Sequence, residues 1–591
     1  MRIRGELIFV LVGIVLALIA IASVLSGRLA RWRTPLAAAG CLMAGVTPLL
    51  LYPFVDSARA RGVALWEWSA VGGPTIQASY RLDGLAAIGL AIGVLYGGAA
   101  LVATTRVPSR SALLRPALLF NAFILVTLVV TDDLIAGVVV LGALAAATTF
   151  IALLVSPPSA VARITAYLAA GVQAFIVSGL LVTRFGAASF RFDAIGPTSI
   201  SPGVLLAAAV GGALFAGLYP FVPWGYRQDE SGERESLRGL LTMPAGVGAT
   251  IVLMRLAGVT RIDLSELTLP GSVPGWAIAL VAIATLVALR RARRDARGRR
   301  GAGVAVLTLA VLLLYPLLHW SHVVLLACLL TVAYAAAVSL ALPEQWLVTR
   351  YDVTLAAAWI GIAGGTPVAA AGALVVLMGG ALAALAEAFW MPPHRAYIAM
   401  LASTTTIVSG ALAVFLGTLG TPDPVALALG AVAILAVIAL ELVHVGRRLD
   451  VAAAPRDLEI TATVFAFLAT VLVTSLAASP MLDALARAFG RPLESDLATT
   501  AFATAVLAAT SALLAIIAGA MRPLLPDLAP VGTRLGRVVS FADPVPIAAG
   551  GFRALERSAT FVSTAFSLFE QRAGVWLAIV LIGGVLVWAV R

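Results

Sequence analysis

The chain contains no lysine; all 40 of its basic residues are arginine. Lysine gives up its proton when it is desolvated, whereas arginine effectively does not. Any proton relay that needs a neutralisable lysine is therefore excluded, whatever codon bias lies behind the usage. Charge is also sparse, 12% of residues where a soluble domain carries ~25%. There are two cysteines, Cys41 and Cys328, and four histidines. Both cysteines lie in apolar stretches, which suits small buried hydrophobes and offers neither a disulfide framework nor a metal cluster. The sequence has no glycine-rich phosphate loop, no Cys/His cluster for iron–sulfur or haem, and no H-E-x-x-H. The expectation is a chain with no cofactor and no bound metal that performs no catalysis alone.

What fills the sequence instead is apolar: 61% of residues, with a mean hydropathy of +1.03. Water cannot cover that much apolar surface, so the solvent must be lipid. Runs long enough to span lie near 7–26, 35–53, 83–104, 113–131, 134–155, 161–183, 201–222, 239–258, 274–290, 302–319 and 321–342. Others lie near 354–390, 397–420, 424–445, 459–478, 498–520 and 574–590. The first run is longer than a signal-peptide core and lacks a clear cleavage site, so it reads as a transmembrane helix. The stretch 354–390 is interrupted by Gly364, Gly365 and Pro367, and is either one broken helix or two short ones. About sixteen or seventeen spans follow, all helical, because an open sheet edge is too costly in lipid. The fold class is an all-α polytopic transmembrane bundle.

The net charge of +11 fits membrane topology rather than nucleic-acid binding. Arginines cluster after the first run (Arg28, Arg31, Arg33), after the third (Arg106, Arg110, Arg115) and above all at 290–300, where seven face a single aspartate. By the positive-inside rule these loops face the cytoplasm and the N-terminus the other side, as in a bacterial plasma membrane. The loop at 223–238, PWGYRQDESGERESLR, has mixed signs and suits a solvated loop, a helix cap or a protein contact. Residues 521–573 are less apolar and end in a patterned helix: Phe552, Leu555, Ala559, Val562, Phe566 and Phe569 recur at three- and four-residue spacing. That helix could lie at the membrane interface, on a partner subunit, or on its own bundle. The expected organisation is N-terminal helices over 1–79, a core over 80–258, further helices over 259–520, an interfacial segment over 521–573 and a last helix over 574–591.

Four segments carry a family resemblance in order: YRLDGLAAIGLAIGVLYGGAALV (80–102), VTDDLIAGVVVLGALAAATTFIALLV (130–155), ALFAGLYPFVPWGYR (213–227) and LRGLLTMPAGVGATIVLMRL (237–256). They resemble the antiporter-like membrane subunits of complex I (NADH–quinone oxidoreductase), of Mrp-type sodium/proton antiporters and of energy-converting hydrogenases. The resembling motifs are the F-x-x-D-G-L-S helix, the N-L-L-x-F-x-x-F-W-E-L helix, the K-x-P-x-x-x-W-L-P helix end, and the next helix with its terminal L-x-R, here Arg255. The resemblance implies a polytopic fold, membrane partner subunits and lipid as surroundings, with no nucleic acid. In that family protons are thought to move along ionisable side chains in the membrane. Here the glutamate position aligns with Gly142, the first lysine position with Leu218 and the next basic position with Val247, none of which binds a proton. A subunit whose own proton path is degenerate is the reading that follows, with a structural or coupling role in an ion-translocating assembly.

The remaining polar candidates for an ion pathway are Glu387, Glu441, His444 and Arg255. Glu441 and His444 stand at i, i+3 and either share a proton or reach the interface beside Arg447 and Arg448. Glu387 precedes Trp390, Pro392 and Pro393, near a helix end. Arg255 either snorkels to the interface or sits on the family's polar axis. His319 and His322 lack a third ligand for zinc and read as an external turn. Asp132 and Asp133 precede a helix and suit capping. Two readings of other classes stand beside the first: an independent secondary transporter with a midplane site at Gly364–Pro367, and a non-transporting membrane scaffold.

Overall fold

The structure is a computed structural model describing residues 45–54, 64–69, 75–104, 111–155, 158–184, 189–192, 195, 201–221, 235–260, 274–294, 302–315, 319–342, 346–388, 393–448, much of 468–485, 497–520, 528–541 and 560. The spans expected at 7–26 and 574–590, and the amphipathic helix expected at 552–569, lie outside the described residues. The described elements are overwhelmingly helical. After a β-hairpin, β1 (Ala64–Ser69) and β2 (Thr75–Ser79), come α1 (Gly84–Thr104), α2 (Ser111–Val130), α3 (Leu134–Val155), α4 (Pro158–Arg184) and α5 (Pro202–Ala216). They are followed by α6 (Glu235–Thr260), α7 (Gly275–Arg294), α8 (Ala302–Leu314), α9 (Trp320–Ala341) and α10 (Trp346–Ala363). The series ends with α11 (Pro367–Ala388), α12 (Pro393–Leu419), α13 (Pro424–Arg448), α14 (Leu497–Ala520) and α15 (Ala529–Phe541). Among the described residues, six helices are long and apolar enough to cross a membrane.

Local chemistry explains the boundaries. Five helices begin at a proline (Pro158, Pro202, Pro367, Pro393, Pro424), where the missing N–H costs nothing and the fixed φ suits the first turn. The end of α5 is closed by Gly217 at φ 63°, whose N–H bonds the Ala213 carbonyl; this is the left-handed cap that glycine takes without strain. The run at 354–390 resolves into two helices. Gly365 adopts φ 66° and α11 starts at Pro367, so the chain reverses there. The first of the two begins earlier than the apolar run implies, at Trp346, and so takes in Arg350 and Asp352.

Two compact units divide the chain. One comprises Met1–Ile278 and Ala310–Val539, the other Ala279–Leu309 and Ser540–Arg591. In the second, α7 and α8 are joined by Thr285, whose hydroxyl donates to the Val281 carbonyl at 2.7 Å and to Ala305 at 3.1 Å. In the first, α11 and α12 make the most extensive helix pair. Small residues allow this approach: a Cβ on Gly372 would come within 2.6 Å of the Gly410 carbonyl, and one on Gly379 within 2.7 Å of Ile407. Around that pair stand α1, α10 and α13, and α6 contacts α5 and α10. The Trp359 indole N–H on α10 donates to the Thr250 hydroxyl on α6 at 3.0 Å.

The hairpin covers one end of α1, α2 and α3. β1 and β2 are antiparallel, and the Asp132 N–H donates to the Ser79 carbonyl at 3.0 Å. Backbone bridges join Thr75 to Ser189 and Tyr80 to Thr131. Extended backbone of this kind is tolerated where its polar groups are paired, as here at the helix ends.

Candidate functional site

Arg350 on α10 and Glu441 on α13 are deeply buried charges, each 1% exposed. The Arg350 Nε–H donates to Glu441 Oε1 at 3.0 Å and an Nη2–H to Oε2 at 3.1 Å, a two-pronged pair. The same Nη2 reaches Thr404 Oγ1 at 2.9 Å and Ser403 Oγ at 3.2 Å on α12. The Thr404 hydroxyl also contacts Glu441 Oε2 at 3.3 Å. Three helices thus meet on one guanidinium. One turn along α13, the His444 ring stacks on Trp346, the first residue of α10, with centroids 4.2 Å apart and planes 11° apart. The expectation that Glu441 and His444 reach the interface is corrected: both are buried at 1%. Glu441 turns to Arg350 and His444 stacks on Trp346.

Arginine cannot act as a proton donor at any ordinary pH. A carboxylate that accepts from both prongs of such a group is matched to a fixed positive charge, and binding a proton would leave that charge without its counter-ion. The arrangement joins α10, α12 and α13. Sequence reasoning missed Arg350 because Arg350 and Asp352 cut off the apolar run at 354. The available signal was the periodicity of W-L-V-T-R-Y-D-V-T-L, which runs on unbroken into the apolar stretch.

Arg255 occupies a different place, near the end of α6, 8% exposed. One guanidinium nitrogen donates to the Thr131 carbonyl, and the other to the Val129 carbonyl at 2.8 Å and to Asp83 Oδ1 at 3.2 Å. Asp83 also accepts the Ala86 N–H at 2.8 Å, capping α1. Arg255 therefore ties the start of α1 to the end of α2, where a cation complements the carbonyl end of the helix dipole, and its guanidinium lies 5.9 Å over Phe192. Beside it, Asp132 lies between Arg81 at 3.7 Å and Arg191 at 3.8 Å. Asp133 caps α3 through the Ala136 N–H at 2.9 Å and holds β2 through the Gln77 N–H at 3.1 Å. Burial pushes the Asp133 carboxyl above its usual range, against the pull of those backbone N–H groups and Arg191. Capping was expected of both aspartates; Asp133 does it and Asp132 forms ion pairs.

A third pair joins α9 to α13. His322 is buried rather than part of an external turn, and its Nε2 bonds the Asp423 carboxylate. Its Nδ1 accepts the His319 N–H at 3.2 Å, which assigns the ring proton to Nε2. Asp423 in turn accepts the Val425 N–H at 2.8 Å at the start of α13. No group of three metal-ligating side chains occurs among the described residues.

Of the positions aligned with the family's ionisable residues, Leu218 and Val247 lie in the apolar core at 1% and 0% exposure. Gly142, within α3, has only Val172 Cγ1 as a neighbour for an added Cβ, at 4.0 Å. Glu387 stands in the last turn of α11, and its side chain lies outside the described residues. The Gly364–Pro367 break lies at the turn between α10 and α11, where the Thr421 hydroxyl donates to the Gly364 carbonyl at 3.2 Å. It is a reversal between packed helices, not an unwound helix.

Two outcomes are expected. Glu441→Ala leaves the Arg350 charge buried without a counter-ion and lowers stability by about 3–5 kcal/mol, whereas Arg350→Leu combined with Glu441→Leu recovers most of that loss; thermal unfolding in detergent reads both. For Asp423, desolvation raises the carboxyl, but bonds from His322, Val425 and Ala426 together outweigh it and hold it below the usual value of 3.8. The stability it contributes is present above 3.8 and is lost as pH falls through the lower folded value. Asp423→Asn should therefore flatten the acid limb of the unfolding curve, measured as melting temperature against pH.

No protein-family model and no curated protein matches the chain. Solved structures do. A chain in the structure of the Mrp complex from Dietzia sp. DQ12-45-1b aligns with a TM-score of 0.62 at 16% identity, covering 99% of this chain and 63% of that one. A chain of respiratory complex I from Thermus thermophilus aligns at 0.42 and 16% identity, covering 90% of this chain and 99% of that one. A chain of an archaeal membrane-bound sulfane sulfur reductase aligns at 0.48 and 14%, covering 76% and 73%. The statement about fold rests on the first of these, since the other two superpose less well. This chain spans 63% of the length of the Mrp-complex chain it matches and shares that chain's fold, a polytopic bundle of membrane helices.

Proposed function

We propose that the chain is a membrane subunit of a multi-subunit ion-translocating assembly of the Mrp or complex I type, structural or coupling in role, with its own proton path degenerate. The observation that carries this reading is the Arg350–Glu441 pair: a carboxylate buried among three helices is held by a side chain that does not titrate. Apolar Leu218 and Val247, where the resembling family keeps ionisable groups, point the same way. An ionisable side chain at a helix centre costs about 2.5–3.5 kcal/mol or more, so a subunit that no longer relays protons has no reason to keep one unpaired.

The same reading includes an orientation. With α10 and α11 as two helices, the alternation of runs puts Arg447 and Arg448 on the side of the arginine-rich loop at 290–300. A single helix there would put them opposite. The two-helix count agrees with the positive-inside rule, which supports reading the N-terminus as non-cytoplasmic. The alternative of an independent transporter has less support, because its one candidate site is the turn between α10 and α11.

Gentle purification from native membranes separates these readings. The expected outcome is stable co-elution with other membrane subunits through size exclusion. A monodisperse lone chain that carries solute in liposomes would contradict the proposal.

A further inference from the structure

Two side-chain amides stand within helices among the described residues, and their surroundings differ. Asn121 on α2 is 1% exposed, and its Oδ1 accepts the Thr148 hydroxyl of α3 at 3.4 Å. Gln173 on α4 is exposed and has no hydrogen-bond partner among the described residues. The inward face of α4 is settled by its contacts with α5: Gly171 lies against Phe215, and the Ser178 hydroxyl donates to the Val204 carbonyl at 3.0 Å. Gln173 therefore stands on the side of α4 turned away from the bundle.

Its depth makes that placement costly. The span Val161–Arg184 is long and apolar enough to cross a membrane, and Gln173 is 12 residues from one end and 11 from the other. At the rise of an α-helix, about 17 Å of helix lies on either side. That is more than a glutamine side chain can reach, so the amide cannot snorkel into water. Hydrocarbon offers it nothing to bond, and an unpaired amide there is strongly disfavoured. The outward face of α13 shows the contrast: Val425, Ala428, Val432, Leu435 and Ala439 are all apolar. The amide on α4 calls for a polar group near the middle of the bilayer.

A second copy of the chain supplies that group without further assumption. Copies of a membrane protein insert in the same orientation, so a symmetric pair has its two-fold axis along the membrane normal. Residues near the axis then meet themselves at the same depth. A primary amide carries two donors and an acceptor and is its own complement. The residues in line with it fit a close pair. Ala162, Ala166, Ala169, Gln173, Ile176 and Leu180 follow at spacings of 4, 3, 4, 3 and 4, all exposed or half-buried. This is the seam of a parallel, left-handed helix pair, in which a single polar residue fixes the register. The three alanines let the two backbones approach. We infer that α4 forms the seam of a parallel homodimer in which the Gln173 amides of two copies bond each other across the axis.

The test uses the full chain. With Ala169→Cys in native membranes, mild oxidation should give a covalent dimer whose linked peptide joins position 169 of one copy to position 169 of another. The unsubstituted chain is the blank for its two native cysteines, and Val432→Cys on α13 should give no dimer. A link from position 169 to a different polypeptide or within the same chain would overturn the inference, as would no link at all. An equal yield of dimer from Val432→Cys would mark chance collision and overturn it too. In liposomes, chains carrying one fluorophore each should bleach in two steps at densities where chance co-occupancy is rare; one-step bleaching throughout would contradict a dimer. Gln173→Leu presents a surface suited to lipid and should weaken association about tenfold, the loss of a reciprocal pair of hydrogen bonds in lipid, with the melting temperature unchanged. Association unaltered by Gln173→Leu would take the amide out of the seam and overturn the inference. Failure of co-elution with partner subunits would leave these readouts unmoved, so this inference and the proposed function fail separately.

Discussion

A charge taken out of water into a helix bundle must bring its counter-charge with it, and in three of the described clusters that counter-charge is arginine, while Asp423 meets His322. Desolvating an isolated ion costs several kcal/mol even after the protein relaxes, so the few carboxylates that remain inside are found where a guanidinium can meet them. Glu441 meets Arg350, Asp83 meets Arg255, and Asp132 lies between Arg81 and Arg191. Because arginine stays charged, the cation of each of these pairs is fixed. The absence of lysine noted in the sequence thus has a structural counterpart: these three clusters are built on a cation with no second protonation state.

The positions of those pins shape the rest. Arg350 gathers α10, α12 and α13 through Glu441, Ser403 and Thr404. Arg255 gathers the ends of α1, α2 and α6 through Asp83 and two carbonyls. Between them the helices approach on glycine and alanine, as where Gly372 faces Gly410 and Gly417 faces Ala369, because lipid provides no hydrophobic drive to hold looser surfaces together. The result is a helix bundle pinned at its buried ion pairs and closely packed between them.

Much of the fold was legible because length and apolarity alone define a span. The helices at 134–155 and 424–448 begin at the residues the apolar runs mark. The break at Gly364–Pro367 was legible as a break, and the φ of Gly365 decides what kind. The site was harder to read. Arg350 and Asp352 ended the apolar run and so were set outside it, while the partner of Arg350 lies 91 residues away, beyond any local pattern. Glu441 and His444 were legible as candidates from their spacing, but spacing on one helix says nothing of which neighbour each side chain meets. Arg255 was left between two alternatives for the same reason: its carbonyl partners belong to α2, which no motif connects to α6. The hairpin at 64–79 was missed because it lies between apolar runs and leaves no helical period.

Proton conductance of the purified full chain in liposomes tests the central claim most directly. Under an imposed pH gradient with the membrane potential clamped by valinomycin, the account predicts flux indistinguishable from protein-free vesicles, with Glu441→Gln no different. Flux well above that background, abolished by Glu441→Gln in a chain that still folds, would show a working relay through the site and contradict the account.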